Sequence, residues 1–512
     1  PEHLFNLMDK VAVRRTRRFI KKEYANDFIT NNRGELVPIE FPTPEIERLT
    51  YDLDLDSDDI VSRVLDALAV SVDENLVIRA GLNRDPSRLS LARYAPSVYL
   101  KNNDIDYLQI TNVGLLRSGL LKRLESSTAA LVATLERLIA SHEAFLEGIA
   151  AGYVITGDSL SGYVSSDSDS LQEFLADLDE ADPDEIRDLK DFEGPALKRD
   201  VELDVELLKE LLQLARKRQQ QGPDAKVAEL LAHLTDLAEQ ADRPDKNGLS
   251  PEDRRKVIIF STYADTVEDL HLRVTEAIEK APKNSPLAAY KKRIAPAVFG
   301  ARGSTAQTER ADILAGFAPM TAGEVNDNGE PKTKNQFDIL IATDVLAEGV
   351  NLQQAGNMVN FDLPWNPMRL VQRHGRIDRI GSPHKRVLIG CFFPAENLDT
   401  LLKLEATLQR KIAYANAAIG TGTVIPGQIS DPTREVLFKD NAQDIKKIYE
   451  EDASLLSEAG GSGALSGEEY RRRLGRAHRR AAPPDPPDPG RSAPRRRVGG
   501  GQGRSRQSEE QW

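Results

Sequence analysis

Apolar positions along this chain follow two rhythms, and the change between them divides it. From about Leu55 to Arg243 they return every three or four residues, the period of a helix with one buried face. LLRSGLLKRLESSTAALVATLERLIASHEAFLEGIAAG is the longest such run. Its Leu115, Leu116, Leu120, Leu121 and Leu124 make a stripe broad enough for core burial, wider than a coiled-coil seam. VELDVELLKELLQLARKRQQQ and VAELLAHLTDLAEQA flank Gly222-Pro223, which predicts a turn between antiparallel helices. SDDIVSRVLDALAVSV predicts a helix capped by Ser57. From Lys256 the rhythm changes to short, continuous apolar runs, VIIF, APAVFG, FDILIA, MVNF and VLIGCFF, alternating with helices predicted to start near Thr266, Ser304, Asn366 and Leu398. Strands without polar alternation are buried on both faces, and a βαβα order predicts a parallel sheet with right-handed crossovers. The expected fold class is α/β, a doubly wound parallel sheet with a large all-α insertion.

Turn residues and charge mark the joints. Pro38, Pro42 and Pro44 predict an extended connection. Ser165 to Asp191 is acidic and serine-rich and predicts a loop with short helices, while Thr321 to Gln336 predicts a disordered surface insertion. Ser304 with Gln307 forms a candidate capping box. Beyond about Ser457 apolar residues almost vanish, so that segment should not bury enough surface to offset ordering entropy. The resulting division is 1–54 as an entry and linker segment, 55–250 helical, 251–430 α/β, 431–456 a brace helix and 457–512 a disordered tail.

Composition narrows the partners. A net charge of −13 over 512 residues confines any nucleic-acid contact to a local basic patch. The single cysteine, Cys391, lies in a strand-like run and reads as a buried inert thiol in a reducing, cytoplasmic setting. No apolar run approaches the ~20 residues that cross a bilayer, so no membrane partner is expected. Arg14, Arg15, Arg17, Arg18, Lys21 and Lys22 cluster near the start, interleaved with Val11, Val13, Phe19 and Ile20.

Chemistry collects after two of the strands. Thr343, Asp344, Glu348, Gly349 and Asn351 follow FDILIA directly, where open α/β sheets bind ligands beyond the carboxyl ends of their strands. After MVNF, Pro364-Trp365 turns the chain and Asn366-Pro367 predicts a capped helix start. Gln372, Arg376 and Arg379, spaced by four and three, are predicted on one helical face. Two guanidiniums there suit the charge spread over a transferring γ-phosphoryl group. Gly375, costly inside a helix, is read as marking a close approach by something else. His374 lacks metal-ligand partners in the sequence.

At these residues a family resemblance becomes plain. ATDVLAEGVNL resembles motif V, and QRHGRIDRIG motif VI, of superfamily 2 helicases, the form GRIDRIG being nearer to the Swi/Snf branch, including its bacterial members. KVIIFSTYADTVEDL resembles motif IV, and VFGARGSTAQTERADILAGF the segment after it. Four motifs in the family's order are far more specific than any one. LLKRLESS resembles part of a helical insertion in bacterial Swi/Snf-like proteins, and RRTRRFIK the element at which such motors leave their first ATPase lobe.

The resemblance implies a RecA-like C-terminal lobe of an ATP-dependent double-stranded DNA translocase. By that likeness Arg376 and Arg379 are arginine fingers and Gln372 holds their helix in register. Asp344, Glu348, Gly349 and Asn351 face the nucleotide, with the Asp344 carboxylate accepting a ribose hydroxyl. Ser261, Thr262, Arg302, Gly303 and Thr343 contact the nucleic-acid backbone, a set that positions without reading sequence. ATP and Mg2+ would be held mainly by an N-terminal RecA-like lobe, and the helical insertion would grip duplex or dock a protein partner. RNA as substrate, true strand separation, and a non-catalytic interaction module are the alternatives. Residues Asp179 to Asp182 spell DEAD, but an amphipathic helical pattern precedes them and no GxxxxGK[ST] loop occurs in the chain, so a Walker B reading is set aside. This chain alone is expected to hydrolyse ATP barely.

Overall fold

The computed structural model describes residues 20, 24, 27–30, 36–51, 59–68, 86–157, 159–160, 185–222, 224–245, 248–298, 307–326, 330–344, 350–364 and 366–393. The basic cluster from Arg14 to Lys22, Ser57, the DEAD letters, the helix near Leu398, the brace and the tail lie outside the described residues.

The centre is a five-stranded, all-parallel sheet. Strands β6 (Val257–Phe260), β7 (Ile339–Ala342), β8 (Asn357–Asn360) and β9 (Arg386–Phe392) correspond to four of the predicted runs. They follow β3 (Thr43–Leu49), β1 (Phe28–Thr30), β2 (Leu36–Pro38), β4 (Tyr153–Ile155) and β5 (Ile186–Asp188) in the chain, and the sheet order is β3-β9-β8-β6-β7. Residues β6, β7 and β8 bury completely, as continuous apolar runs should. Among the described residues the IAPAV segment forms isolated parallel bridges to β7, Ile294 to Ile339 and Val298 to Ala342.

Side chains alternate across the sheet and so build two cores. On one face Ile258, Phe260, Leu340, Met358 and Ile389 share a continuous core with Leu120 and Leu121 of α2 (Tyr107–Ser126), Leu131 and Leu135 of α3 (Thr128–Ala150), and Leu207 and Leu211 of α4 (Gly194–Gln220). The short α1 (Asp59–Leu68) joins the same core. On the other face Val257, Ile259, Ile341, Val359 and Phe361 meet Leu230, Leu234 and Leu237 of α5 (Ala225–Ala241). After the one-turn α6 (Pro251–Arg255) comes α7 (Ala264–Lys280), whose Val267, Leu270 and Val274 complete that layer. Ile313, Leu314 and Phe317 of α8 (Gln307–Phe317) return to the first core. Packing therefore runs straight across residue 250, where the change of rhythm suggests a boundary. The helical block supplies covering layers of the sheet itself.

Two features differ from the sequence expectation. The stretch read as an extended connection does run extended, but residues 43–49 add to the sheet as an edge strand parallel to β9. Pro44 is tolerated there because an edge strand need not donate on both sides. Thr321 to Gln336, expected to be disordered, has among its described residues a Val325–Pro331 bridge and a Glu324–Lys332 ion pair at 2.9 Å. Its start is tied down by Thr321 Oγ1, which donates to Asn351 O at 3.0 Å.

At the amino edge of the sheet sits Asp338, fully buried, the one polar residue in the FDILIA run. Arg255 Nε and Arg293 Nε donate to it at 2.7 and 2.6 Å, and Lys256 Nζ lies 3.6 Å away. Burial pushes Lys256 down to about 8 in pKa although Asp338 opposes the shift. Among the described residues no helix is long and apolar enough to cross a membrane.

Candidate functional site at the carboxyl edge of the sheet

The last helix, α9 (Pro367–His374), starts as predicted: Asn366 caps it by accepting from Met368 N at 2.9 Å, and proline opens its first turn. It stops earlier than predicted. His374 is its last residue, so Gln372 is helical and exposed whereas Arg376 and Arg379 stand in the turns that follow. Both arginines fold back on the helix end. Arg376 Nε donates to Gln372 O at 3.2 Å and Arg379 Nε to Gly375 O at 2.6 Å, satisfying carbonyls that a helix terminus leaves open. Their other nitrogens reach the loop after β7. Arg376 Nη1 donates to Val350 O at 3.0 Å and Arg379 Nη1 to Asn351 Oδ1. Arg376 is buried, and burial pulls the half-buried Arg379 below its ordinary value.

Among the described residues no other element closes on Gly375. A Cβ there would meet, among the described residues, only Val371 O and Gln372 O of its own helix.

Asp344 is engaged by the last helix: its Oδ1 accepts from Arg373 Nε at 2.5 Å and its Oδ2 from Arg369 Nη1 at 3.1 Å. Arg373, fully buried, also donates to Asn360 Oδ1 at 3.2 Å, Asp362 O at 3.1 Å and Thr262 Oγ1 at 3.4 Å. Burial alone would depress this guanidinium, but Asp344 and Asp362 outweigh it and the net shift is upward.

Ser261 departs from expectation. Its side chain is fully buried and its hydroxyl donates to Asp362 Oδ2, so no phosphate can reach that oxygen. Thr262 is only half buried, and both its N and Oγ1 donate to Asp362 Oδ1, at 2.8 and 2.7 Å. Thr343 sits at the end of β7 with its N donating to Val298 O at 3.0 Å. Glu348, Gly349, Arg302 and Gly303 lie outside the described residues. The structure thus brings together Thr262, Asp344, Asn351, Arg376 and Arg379 at one edge, with Ser261 beneath them.

Comparison with known proteins decides what this edge belongs to. Residues 240–381 match the family described as Helicase conserved C-terminal domain. Over these residues the chain is similar to helicase C-terminal domains. It is similar to "Uncharacterized ATP-dependent helicase YqhH" of Bacillus subtilis, 56% identical over 49 residues, which cover 10% of this chain and 9% of the relative. It is also similar to "RNA polymerase-associated protein RapA" of Vibrio atlanticus, 32% identical over 117 residues, covering 23% and 12%. The chain therefore spans a small part of the relatives it matches. Among solved structures it is similar to the C-terminal part of the Fun30 ATPase domain, at 16% identity and a TM-score of 0.31, covering 80% of this chain and 100% of that one. The Pyrococcus furiosus Hef helicase domain gives 15% and 0.32, covering 72% and 58%.

Within this matched region the hub was missed in the sequence. Asp362, in FDLPW, was not among the candidate residues, yet it is buried and accepts from Ser126 Oγ at 2.8 Å besides Ser261 and Thr262. Burial raises a carboxyl, but Arg373, Lys226 and the hydroxyls reverse this and hold Asp362 below its usual value. Its partners lie far away in sequence. The signal that could have found it is KRLESS, polar residues set into an otherwise apolar helical stripe.

Proposed function

We propose that this chain is the second ATPase lobe of a Swi/Snf-like translocase, completing an ATP site whose phosphates and Mg2+ are held by an N-terminal RecA-like lobe of the same protein. The observation that carries the reading is the convergence of the two motifs: Arg376 and Arg379 reach Val350 and Asn351 across the carboxyl edge, so the guanidiniums are fixed in place before any nucleotide arrives. Pre-organised cations of this kind offset the charge that develops as the γ-phosphoryl group transfers. Asp344 acts indirectly by holding Arg373 and Arg369, which keep α9 on the end of β7. Thr262 and Thr343, with Arg302 and Gly303, serve as backbone contacts along double-stranded DNA, a local patch on an acidic chain. ATP turnover would then be coupled to opening and closing of the cleft between lobes.

The test uses the intact protein, both lobes present. Duplex-stimulated ATP hydrolysis should fall about a thousandfold in Arg376→Ala and Arg379→Ala, as loss of an arginine finger does. Turnover within about threefold of wild type in folded samples of both variants would overturn the reading. Duplex DNA should stimulate hydrolysis without separation of its strands.

A further inference from the structure

The carboxyl-edge hub continues into the helical block through a run of buried charge. Lys122 Nζ donates to Glu125 Oε2 at 2.9 Å and to Leu363 O at 2.8 Å, next in sequence to Asp362. Lys226 of α5 donates to Glu125 Oε1 at 3.0 Å and to Glu125 O at 2.7 Å. Its ammonium stands over the Phe361 ring at 4.5 Å and lowers the Asp362 carboxyl electrostatically. Ser126, fully buried at the end of α2, shares its hydroxyl between Asp362 Oδ2 and Thr266 Oγ1, each at 2.8 Å. From Asp362 the run passes through the Thr262 hydroxyl to Arg373 and ends on Asp344. Lys122, Lys226, Arg373 and Arg369 face Glu125, Asp362 and Asp344, and all but Asp344 and Arg369 are buried.

A buried charge network with its partners engaged fixes one arrangement of the elements it joins, because any shift strands a charge away from water. Two separated pieces of the helical block, the end of α2 and the start of α5, therefore grip the strand-end residues that in turn hold Arg373, and Arg373 stands three residues before Arg376. We propose that Ser126, with Glu125 and Lys226 behind it, is a positioning residue for the arginine pair: the helical block sets where Arg376 and Arg379 stand, and what it touches alters turnover through this link. The proposal rests on the finger reading above but is separable from it.

Ser126→Ala in the intact protein removes one hydroxyl and no charge. Expected is a fall in kcat of about tenfold to a hundredfold, as for a small misplacement made at a distance, with KM for ATP within about twofold. Amide exchange should quicken over residues 373–379 while strands β6 and β8 keep their protection. Ser127→Ala is the control: Ser127 accepts from Ala130 N and touches Thr266, but the Asp362 carboxylate is bonded by its neighbour Ser126. It should weaken α3 and leave kcat and the exchange of 373–379 unchanged. Unaltered exchange at 373–379 in Ser126→Ala, or exchange quickened equally over the whole sheet, overturns the positioning role. Should Arg376→Ala retain full turnover, the finger reading fails and the exchange measurement alone decides the link.

Discussion

The two edges of the sheet each bury one aspartate among cations, and they differ in what those cations are fastened to. At the amino edge Asp338 is held by Arg255, Lys256 and Arg293, from segments that flank neighbouring strands and carry none of the candidate site residues. At the carboxyl edge Asp362 is held by Ser126, Ser261 and Thr262, with Arg373 on its backbone carbonyl. The first cluster is a clamp: it closes one end of β6 and β7. The second is a junction, joining the helical block, the loop after β6 and α9. Similar chemistry thus serves stability at one end and, in the proposed function, placement of the arginine pair at the other.

The largest effect should come from breaking the junction. Asp362→Asn keeps the shape but removes the buried carboxylate that Ser126, Ser261 and Thr262 bond, while Arg373 and Lys226 keep Asp344 and Glu125, and losing a buried charged partner of this kind costs about 3–5 kcal/mol. Urea unfolding of wild type and variant would show it as a lower midpoint at unchanged slope. A loss below about 1 kcal/mol would mean that water replaces the carboxylate and that the junction is not dry.

Lys256 makes the clamp sensitive to pH. Its folded value of about 8 stands below the ordinary 10.5, so between those two values the unfolded chain carries a proton that the folded chain lacks. Stability should therefore rise with pH across that window by roughly 3 kcal/mol, and this gain is lost as pH falls through about 8. Lys256→Met should flatten the rise, measured as the difference between the two proteins' unfolding free energies at pH 7.5 and 10, a window taken inside the titration range. Asp338→Asn should cost somewhat less than the junction variant, about 2–3 kcal/mol, because Arg293 is partly exposed and can return to water. Its turnover in the intact protein should be unchanged, the feature that separates clamp from junction.

How much of this was legible beforehand follows from the range of each interaction. Strands β6 to β9 were readable because short β-branched runs leave no other home for their side chains, and the start of α9 because Asn366 and Pro367 act within one turn. The end of α9 was not: Gly375 reads equally as interior or cap, and the arginines that close the helix through its own carbonyls follow the same spacing as a continuing helix. Strand β3 escaped because its partner β9 lies more than three hundred residues onward and its prolines imitate a linker. Asp362 escaped for the same reason, its partners Ser126, Ser261 and Arg373 having no local pattern in common. Among the candidate site residues, Asp344 and Ser261 were picked by position at a strand end, and position does not reveal whether a neighbouring arginine or aspartate takes the side chain first.

The smallest effect is the one that can tell the two edges apart without any activity. Cys391 is buried on β9 opposite Asn360, whose Nδ2 lies 3.5 Å from its sulfur and 3.2 Å from His374 Nε2. Burial pushes this thiol up to about 12, so at pH 8 an alkylating reagent should find neither access nor thiolate in the folded protein. Labelling then reports opening. In Asp338→Asn its rate should rise only as far as the loss of global stability requires, since the clamp releases the whole sheet together. In Asp362→Asn it should rise further, by about tenfold beyond that allowance, because α9 and its His374 can lift from Asn360 while the sheet stays folded. Equal rates at equal global stability would make the junction a second clamp, and the contrast between the edges would vanish.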